Sequence, residues 1–273
     1  MGPGHRDAHS IVNAKGPRES FRTKMETPVS ICPCVLARIL IAAYAVPYRQ
    51  RTGAAGVVFH VLNRGVRRLR LFDRPRDYRA FLEVFCEAQE RIPMRCLAYC
   101  LMPNHFHLVL WPRTDGELSA FMAWLTATHS KRWHAYRRTT GTGHVYQGRY
   151  KAFPVSSDTH FLRLCRYVER NALRAGLVAR AEDWPWSSLA QRAGRPSLIS
   201  LTEWPVARPP DWSDLVQLDV TEETQELRQA VSRGAPYGPE DWRVQIASRL
   251  QLKSSLVPVG RPQNRKRTTR VYG

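Results

Sequence analysis

Two apolar runs at residues 94–101 and 105–111 are separated by only three residues, Met102-Pro103-Asn104. Both runs are rich in aliphatic and aromatic side chains of the kind that strands favour. A connection this short permits an antiparallel pair, because a parallel pair needs a crossover of a dozen or more residues. The sequence therefore predicts a central β-hairpin, and the flanking segments must pair with it or pack on it.

The flanking segments add strands and helices in a definite order. A β-rich run at 57–62 precedes the hairpin and is followed by a helix capped by Asp77. A long helix, a strand at 148–155 and a helix that ends at Gly176 follow the hairpin. This order predicts an α+β fold, a ferredoxin-like split βαββαβ antiparallel sheet with helices packed on one face. The last helix is an addition to that arrangement.

Three regions are predicted along the chain of 273 residues. Residues 1–54 form an N-terminal extension, disordered or outside the fold, and residues 55–195 form the main domain. Residues 196–273 form a C-terminal extension with short helices and a basic tail. An apolar run at 29–46 allows a signal peptide as an alternative. Pro33 and Arg38 interrupt that run, which favours the extension.

Positive charge is concentrated in parts of the chain. The formal net charge is +19. Residues 55–195 carry 23 basic and 11 acidic residues, a net of +12, whereas residues 196–260 carry 6 and 9, a net of −3. The last thirteen residues carry five basic residues and no acidic one. A main domain this basic favours a polyanionic partner, of which nucleic acid is the commonest.

The cysteines show no spacing typical of a disulfide framework, which favours a reducing cytoplasm, with the protein associated with the nucleoid. Four residues allow a zinc site as an alternative: Cys96, Cys100, His105 and His107. Structural zinc sites usually separate their ligand pairs by a longer loop than this one. Zinc is therefore the weaker interpretation of the two histidines.

His105 and His107 flank Phe106 on a predicted strand. Alternate side chains of a strand share a face, so both imidazoles point the same way and could hold one divalent metal ion. Two alternating histidines are also common on ordinary polar faces, so the pair needs further context. His60, on the first predicted strand, has no partner at a diagnostic spacing and is interpreted as structural.

Tyr167 lies on the last predicted helix beside the buried stripe. Residues at helical spacing on its side are Arg163, Arg170, Asn171 and Arg174. Guanidinium groups bind phosphate oxygens and stabilise the charge that builds during phosphoryl transfer. A tyrosine there could attack phosphorus and form a covalent intermediate. The alternative is an amphipathic helix with a half-buried tyrosine and solvated arginines.

Five sequence blocks together resemble a known family. They are Phe59-His60-Val61 with Asn63-Arg64-Gly65, residues 98–107 (AYCLMPNHFH), Gln147-Gly148-Arg149-Tyr150-Lys151, residues 167–178 (YVERNALRAGLV) and Trp184-Pro185-Trp186-Ser187-Ser188. This succession resembles the REP-associated tyrosine transposases, single-tyrosine relatives of insertion-sequence transposases with a His-hydrophobe-His motif. Ala172 stands where the family has proline.

The resemblance implies a DNA strand transferase that cleaves and rejoins hairpin-bearing single-stranded DNA. Tyr167 would be the nucleophile, and the product would be a 5′-phosphotyrosine with a free 3′-hydroxyl. His105, His107 and Asn171 would bind Mg²⁺ or Mn²⁺, with no small-molecule cofactor. The partner would be single-stranded DNA with REP-like hairpins, bound by a monomer or homodimer. A hairpin-binding protein without catalysis is the alternative function.

Further basic residues are predicted to contact DNA. Arg149 and Lys151 alternate on the last predicted strand and could bind backbone phosphates. The tail carries Gly260-Arg261-Pro262, which resembles an AT-hook that lays arginines in the minor groove. The remaining basic residues of this tail prediction are Arg265, Lys266 and Arg267. A basic tail that adds only nonspecific affinity is the alternative.

Overall fold

The computed structural model describes residues 54–257 and contains one four-stranded antiparallel sheet. Its strands are β1 (Val58–Arg64), β2 (Arg95–Met102), β3 (His105–Trp111) and β4 (Lys151–Val155). They lie in the order β2-β3-β1-β4, with every neighbouring pair antiparallel. This is the strand order of the split βαββαβ arrangement, so the predicted fold class is confirmed.

The two helices of the βαββαβ arrangement, α1 (Pro75–Arg91) and α2 (Glu117–Arg137), pack on one face of the sheet. Pro75 opens α1 at a position where its missing N–H costs nothing, and the Asp77 carboxylate accepts the backbone N–H groups of Asp73 and Arg74. Asp77 thus stabilises the helix start from within the first turn. Phe106 of β3 is fully buried on this face, 5.1 Å from Phe81 between ring centroids.

The opposite face of the sheet is covered by the chain after β4. Helix α3 (Thr159–Glu169) packs on β2 and β3, and the short helices α4 (Asn171–Arg174) and α5 (Ser188–Arg192) follow it. Asp158 caps α3 by accepting the His160 backbone N–H. The sheet therefore has two buried faces. Helices α1 and α2 cover one face, and helix α3 covers the other.

Residues 196–257 contribute to the core on both faces, because Ile199 and Ile246 belong to the cluster under α1 and α2. This segment forms α6 (Trp212–Gln217), α7 (Thr221–Arg233), α8 (Glu240–Arg249) and α9 (Lys253–Leu256). Trp212, Val216 and Leu227 are buried in one cluster with strand residues such as Val155. Tyr237 also forms a parallel bridge to Val155. The part of the predicted C-terminal extension described by the structure is thus integral to the core.

Some predictions lie outside the described residues. They concern the N-terminal extension with its apolar run, and the tail residues Arg261, Arg265, Lys266 and Arg267. Among residues 54–257, no helix is both long enough and apolar enough to cross a bilayer.

Candidate active site

His105 and His107 lie on the sheet face that α3 covers. In the register with β1, His105 is opposite Arg64 and His107 is opposite Leu62. Directly opposite residues of an antiparallel pair share a face, so Arg64 points to the same side as both histidines. The two imidazole centroids are 5.0 Å apart. This alternation is the predicted one, with Phe106 buried on the other side.

His60 is a member of the site that sequence reasoning assigned to structure alone. Its Nε2 lies 2.9 Å from His107 Nδ1, and the two rings stack with centroids 5.0 Å apart. His60 is opposite Val109, two positions along β3 from His107. The proximity of His60 to His107 follows from the register between β1 and β3. The sequence alone does not give this register. His60 Nδ1 is buried and has no hydrogen-bond partner in the described part of the chain.

Burial keeps the three histidines neutral. It lowers the pKa of His60 to about 3. Burial, helped by the charges of Arg64 and Arg174, lowers the pKa of His105 to about 4. Burial and the neighbouring imidazoles hold the pKa of His107 well below its ordinary value. Neutral imidazoles are the form that binds metal ions, so no proton must be removed near pH 7.

Tyr167 lies against the same histidines. Its ring centroid is 5.8 Å from that of His107 and 6.3 Å from that of His60, edge to face in both cases. Neighbouring Leu164 and Val168 are buried and hold this face of α3 on the sheet. Tyr167 itself is half-buried at the margin of that cluster. The helix thus brings the predicted nucleophile beside the predicted metal ligands, from more than fifty residues away in sequence.

Arg174 and Asn171 are the other polar groups beside Tyr167. The Arg174 guanidinium lies over the Tyr167 ring, 5.4 Å from its centroid, and donates to Asn171 Oδ1 at 2.5 Å. Asn171 is fully buried, and its Nδ2 donates to the Tyr167 carbonyl oxygen at 2.9 Å. The Asn171 amide therefore braces the junction between α3 and α4, which is broken at Arg170.

Arg163 and Arg170 are held by acceptors of α6, α7 and their connection. Arg163 Nε lies 3.3 Å from a Glu223 oxygen, and Arg170 Nη2 lies 3.5 Å from Asp219 Oδ2. Both guanidinium groups are thus engaged with carboxylates of this chain, and their predicted contact with DNA stays a prediction. Helical spacing placed them correctly on one side of α3. It could not show that a segment fifty residues later supplies their carboxylate partners.

A buried carboxylate anchors the tyrosine helix. Glu169, two residues after Tyr167, is fully buried and accepts from Ser188 Oγ and from Trp212 Nε1 at 2.7 Å. Arg192 Nη1 lies 3.1 Å from the same carboxylate. Burial raises the pKa of Glu169 above its ordinary value, although these partners oppose the shift. Because Ser188 also accepts the Tyr99 backbone N–H, one carboxylate links α3, α5, α6 and β2.

The two predicted histidine ligands fit a divalent metal ion. His105 Nδ1 bonds to Asn104 Oδ1 at 2.6 Å and His107 Nδ1 bonds to His60. Such contacts fix the ring orientation and direct Nε2 of a histidine ligand to the metal. Asn171 fits less well, because its oxygen already accepts from Arg174. Within residues 54–257, no cluster of three or more His, Cys, Asp or Glu side chains could hold a metal on its own.

The zinc interpretation does not fit the sheet. Cys96 and Cys100 are both fully buried, but Cys96 belongs to the cluster under α1 and α2 and Cys100 to the cluster under α3. A register shift between Cys96 and Ala98 changes the face on which the side chains lie. The two thiols therefore lie on opposite sides of the sheet and cannot join the histidines in one site.

Lys151 and Arg149 lie at the start of β4. Lys151 is exposed and opposite Leu62, which is itself opposite His107, so these three residues form one row across the sheet. Arg149 is exposed just before the strand. Lys151 therefore lies on the face of the candidate site. Like Arg64, it adds positive charge to that face.

Comparison with known proteins finds a family model that matches the part of the chain carrying this site. Residues 55–171 match the model of the family described as Transposase IS200 like. This part of the chain is similar to the IS200-like transposases. The match begins just before β1 and ends at Asn171, so it includes the whole sheet, His60, the two alternating histidines and Tyr167.

Two individual proteins are similar to this part of the chain and its surroundings. A Haemophilus influenzae protein described as a REP-associated tyrosine transposase is 23% identical over 131 residues, which cover 43% of this chain and 74% of the relative. A solved structure described as a REP-associated tyrosine transposase bound to a REP hairpin is 18% identical. That comparison has a TM-score of 0.45 and covers 59% of this chain and 96% of the other.

Proposed function

We propose that this protein is a DNA strand transferase that cleaves and rejoins single-stranded DNA through Tyr167. The observation that carries the proposal is that the Tyr167 and His107 ring centroids are 5.8 Å apart. The phenol therefore lies beside neutral imidazoles of the form that binds metal ions. The match of residues 55–171, which include both residues, to the IS200-like transposase family supports the proposal. The similarity to a protein described as a REP-associated tyrosine transposase supports a hairpin-bearing strand as the substrate.

The reaction is a transfer of one phosphodiester to the tyrosine. The Tyr167 oxygen attacks phosphorus, the bond from phosphorus to the 3′ oxygen breaks, and the departing oxygen gains a proton to become a free 3′-hydroxyl. The phenol proton passes to water. Because the new 5′-phosphotyrosine bond stores the broken linkage, attack by a 3′-hydroxyl reverses the step and rejoins a strand.

Each surrounding residue has a role in this step. Arg174, over the Tyr167 ring, is positioned to bind a non-bridging phosphate oxygen and stabilise the developing charge. Arg64 lies on the same face, opposite His105, and can hold the neighbouring backbone phosphate. His105 and His107 would hold Mg²⁺ or Mn²⁺, which when bound polarises the scissile phosphate as a Lewis acid. Glu169 keeps α3, and with it the phenol, against the sheet.

The experiment is covalent capture. Protein and a labelled hairpin-bearing single strand are incubated with Mg²⁺ or Mn²⁺ and then denatured. We expect wild type to retain the label and Tyr167→Phe to lose it. Tyr150→Phe is the matched control, because it also removes one phenol hydroxyl, from a ring that packs on the opposite side of the sheet. Labelled Tyr167→Phe would remove this residue from the role.

Hairpin binding without cleavage is the second candidate function. It is favoured by the bond from Arg174 to Asn171 Oδ1, which occupies the third predicted metal ligand. Tight binding of the same hairpin strand, with no adduct in Mg²⁺ or Mn²⁺, would favour this candidate over the first.

A further inference from the structure

A positively charged surface lies where β1 ends, beside the start of α1 and the end of α2. Its exposed arginines are Arg67, Arg68, Arg70, Arg74, Arg76 and Arg138. Asp73 and Asp77 lie among them, and both accept from Arg137, at 2.7 and 3.3 Å. These contacts join the helix ends to one another. The arginines outnumber the two carboxylates, so the surface retains a clear excess of positive charge.

Three of its residues adopt an unusual backbone conformation. In residues 54–257, the non-glycine residues with positive φ are Arg67, Arg68, Arg138 and Gln251. The left-handed region disfavours residues with long side chains, whereas glycine and asparagine enter it more easily. The loop is held by backbone hydrogen bonds from Val66 to the Val145 oxygen at 2.9 Å and from Leu71 to the Pro103 oxygen at 2.8 Å. Arginine occupies these exposed positions although glycine or asparagine would adopt this backbone at lower cost.

The surface is continuous with the candidate active site. The Gly65 backbone N–H donates to the Asn104 oxygen at 2.9 Å, and the Asn104 side chain bonds to the His105 ring. Arg64, immediately before this loop, is opposite His105 in the sheet. A polyanion lying on the loop would therefore run directly to the metal-ligating end of β3.

The chemistry of the surface suits a phosphate backbone better than unpaired bases. Proteins that grip single strands offer aromatic rings on which bases stack. The exposed aromatic ring here is Tyr136, and the Arg76 guanidinium lies over it, 4.5 Å from its centroid. What remains is an array of guanidinium groups, which contact phosphates without reading sequence.

We infer that this arginine surface binds the phosphate backbone of double-helical DNA, the stem of the hairpin whose single strand enters the Tyr167 site. The inference rests on the proposed function for the identity of the substrate. It assigns the duplex part of that substrate to the loop at 65–70 and the adjoining ends of α1 and α2. The single-stranded part remains at the face of the histidines.

Salt-dependent binding of a blunt DNA duplex without any single strand tests the inference. The test variant is Arg67→Asn with Arg68→Asn, since asparagine tolerates positive φ and should preserve the loop. The control is Arg228→Gln with Arg233→Gln, which removes the same charge from exposed positions of α7. Log affinity falls as log salt concentration rises, and each phosphate contact steepens this fall by about one. We expect the test variant to show a slope less steep than that of wild type by about two.

The control should keep the wild-type slope. Equal slopes for wild type and the Arg67/Arg68 variant, or an equal loss in the control, would overturn the inference. Duplex binding requires no cleavage, so the two proposals fail separately. A protein that forms no adduct on any strand, yet shows the slope difference, would refute strand transfer and still support the duplex surface.

Discussion

His60 Nε2 lies 2.9 Å from His107 Nδ1, and the two imidazoles are parallel within 6°. One residue of β1 thereby fixes the orientation of a residue of β3 that the sequence predicts as a metal ligand. Contacts of this kind set the ring orientation and tautomer of ligating histidines. The structure thus adds a supporting residue to a site predicted from two histidines and a tyrosine.

His60→Phe should weaken metal binding. The substitution keeps a buried ring but removes the contact to His107, and loss of such a partner typically costs ten- to a hundredfold in metal affinity. Mn²⁺ titration of a Tyr167→Phe protein with DNA bound measures the effect without cleavage. His129→Phe, another buried histidine on the other side of the sheet, is the control and should leave Mn²⁺ affinity unchanged. Equal affinities in the two variants would contradict this role.

Metal binding should depend on DNA. Within residues 54–257, the charged groups that shift the pKa of His105 and His107 include Arg64 and Arg174, and none of the largest contributors is a carboxylate. Two neutral imidazoles near two cations are a poor site for a divalent ion until a phosphate supplies negative charge. We expect a single strand to raise Mn²⁺ affinity by about tenfold or more, about 1.4 kcal/mol. Calorimetry on Tyr167→Phe with and without DNA checks this, and equal affinities would contradict it.

Glu169→Leu should destabilise the protein and disturb the tyrosine helix. It leaves Arg192, Ser188 and Trp212 without their shared acceptor, and breaking a buried pair in this way costs about 3 kcal/mol or more. Denaturant unfolding measures the loss. Glu222→Gln, on the exposed side of α7, is the control and should change stability little. A loss for Glu169→Leu no larger than that of the control would show that the network contributes nothing.

Stability should fall as pH falls below about 6.5. Burial lowers the pKa of His129 to about 3, so the folded imidazole stays neutral while the unfolded one gains a proton below its ordinary pKa. Unfolding then takes up a proton, and each such histidine contributes up to about 1.4 kcal/mol per pH unit between those values. Between pH 6 and 4, the free energy of unfolding of His129→Gln should decline less steeply than that of wild type, by up to about 1.4 kcal/mol per pH unit. A decline as steep as that of wild type would be inconsistent with a buried neutral His129.

Local sequence patterns predicted much of this structure. The strand from His105 to Trp111 has the predicted bounds because alternation and the preceding turn define both of its ends. β4 begins at Lys151 instead of residue 148, because the preceding residues follow a loop in which Gln147 N–H bonds to the Arg64 oxygen. Helical periodicity likewise placed Tyr167 at the edge of the buried stripe.

The features that local sequence patterns did not predict depend on contacts between residues far apart in the chain. His60 contacts His107 through strand register, and periodicity within one strand carries no register. The partners of Arg163 and Arg170 come from α7 and from the residues just before it, so no local spacing could predict them. The break at Arg170 was missed for a related reason. A helix of favourable residues is interrupted there while Asn171 turns its side chain back onto the carbonyl groups of α3.

The carboxylate of Glu169 sets the smallest fragment that could work on its own. The family match ends at Asn171, yet Ser188, Arg192 and Trp212, which bind this carboxylate, all lie beyond it. A truncation at the edge of the matched range would leave the buried Glu169 carboxyl without these partners, two residues from the proposed nucleophile Tyr167. Shortened versions of this protein should therefore retain the chain through at least α6.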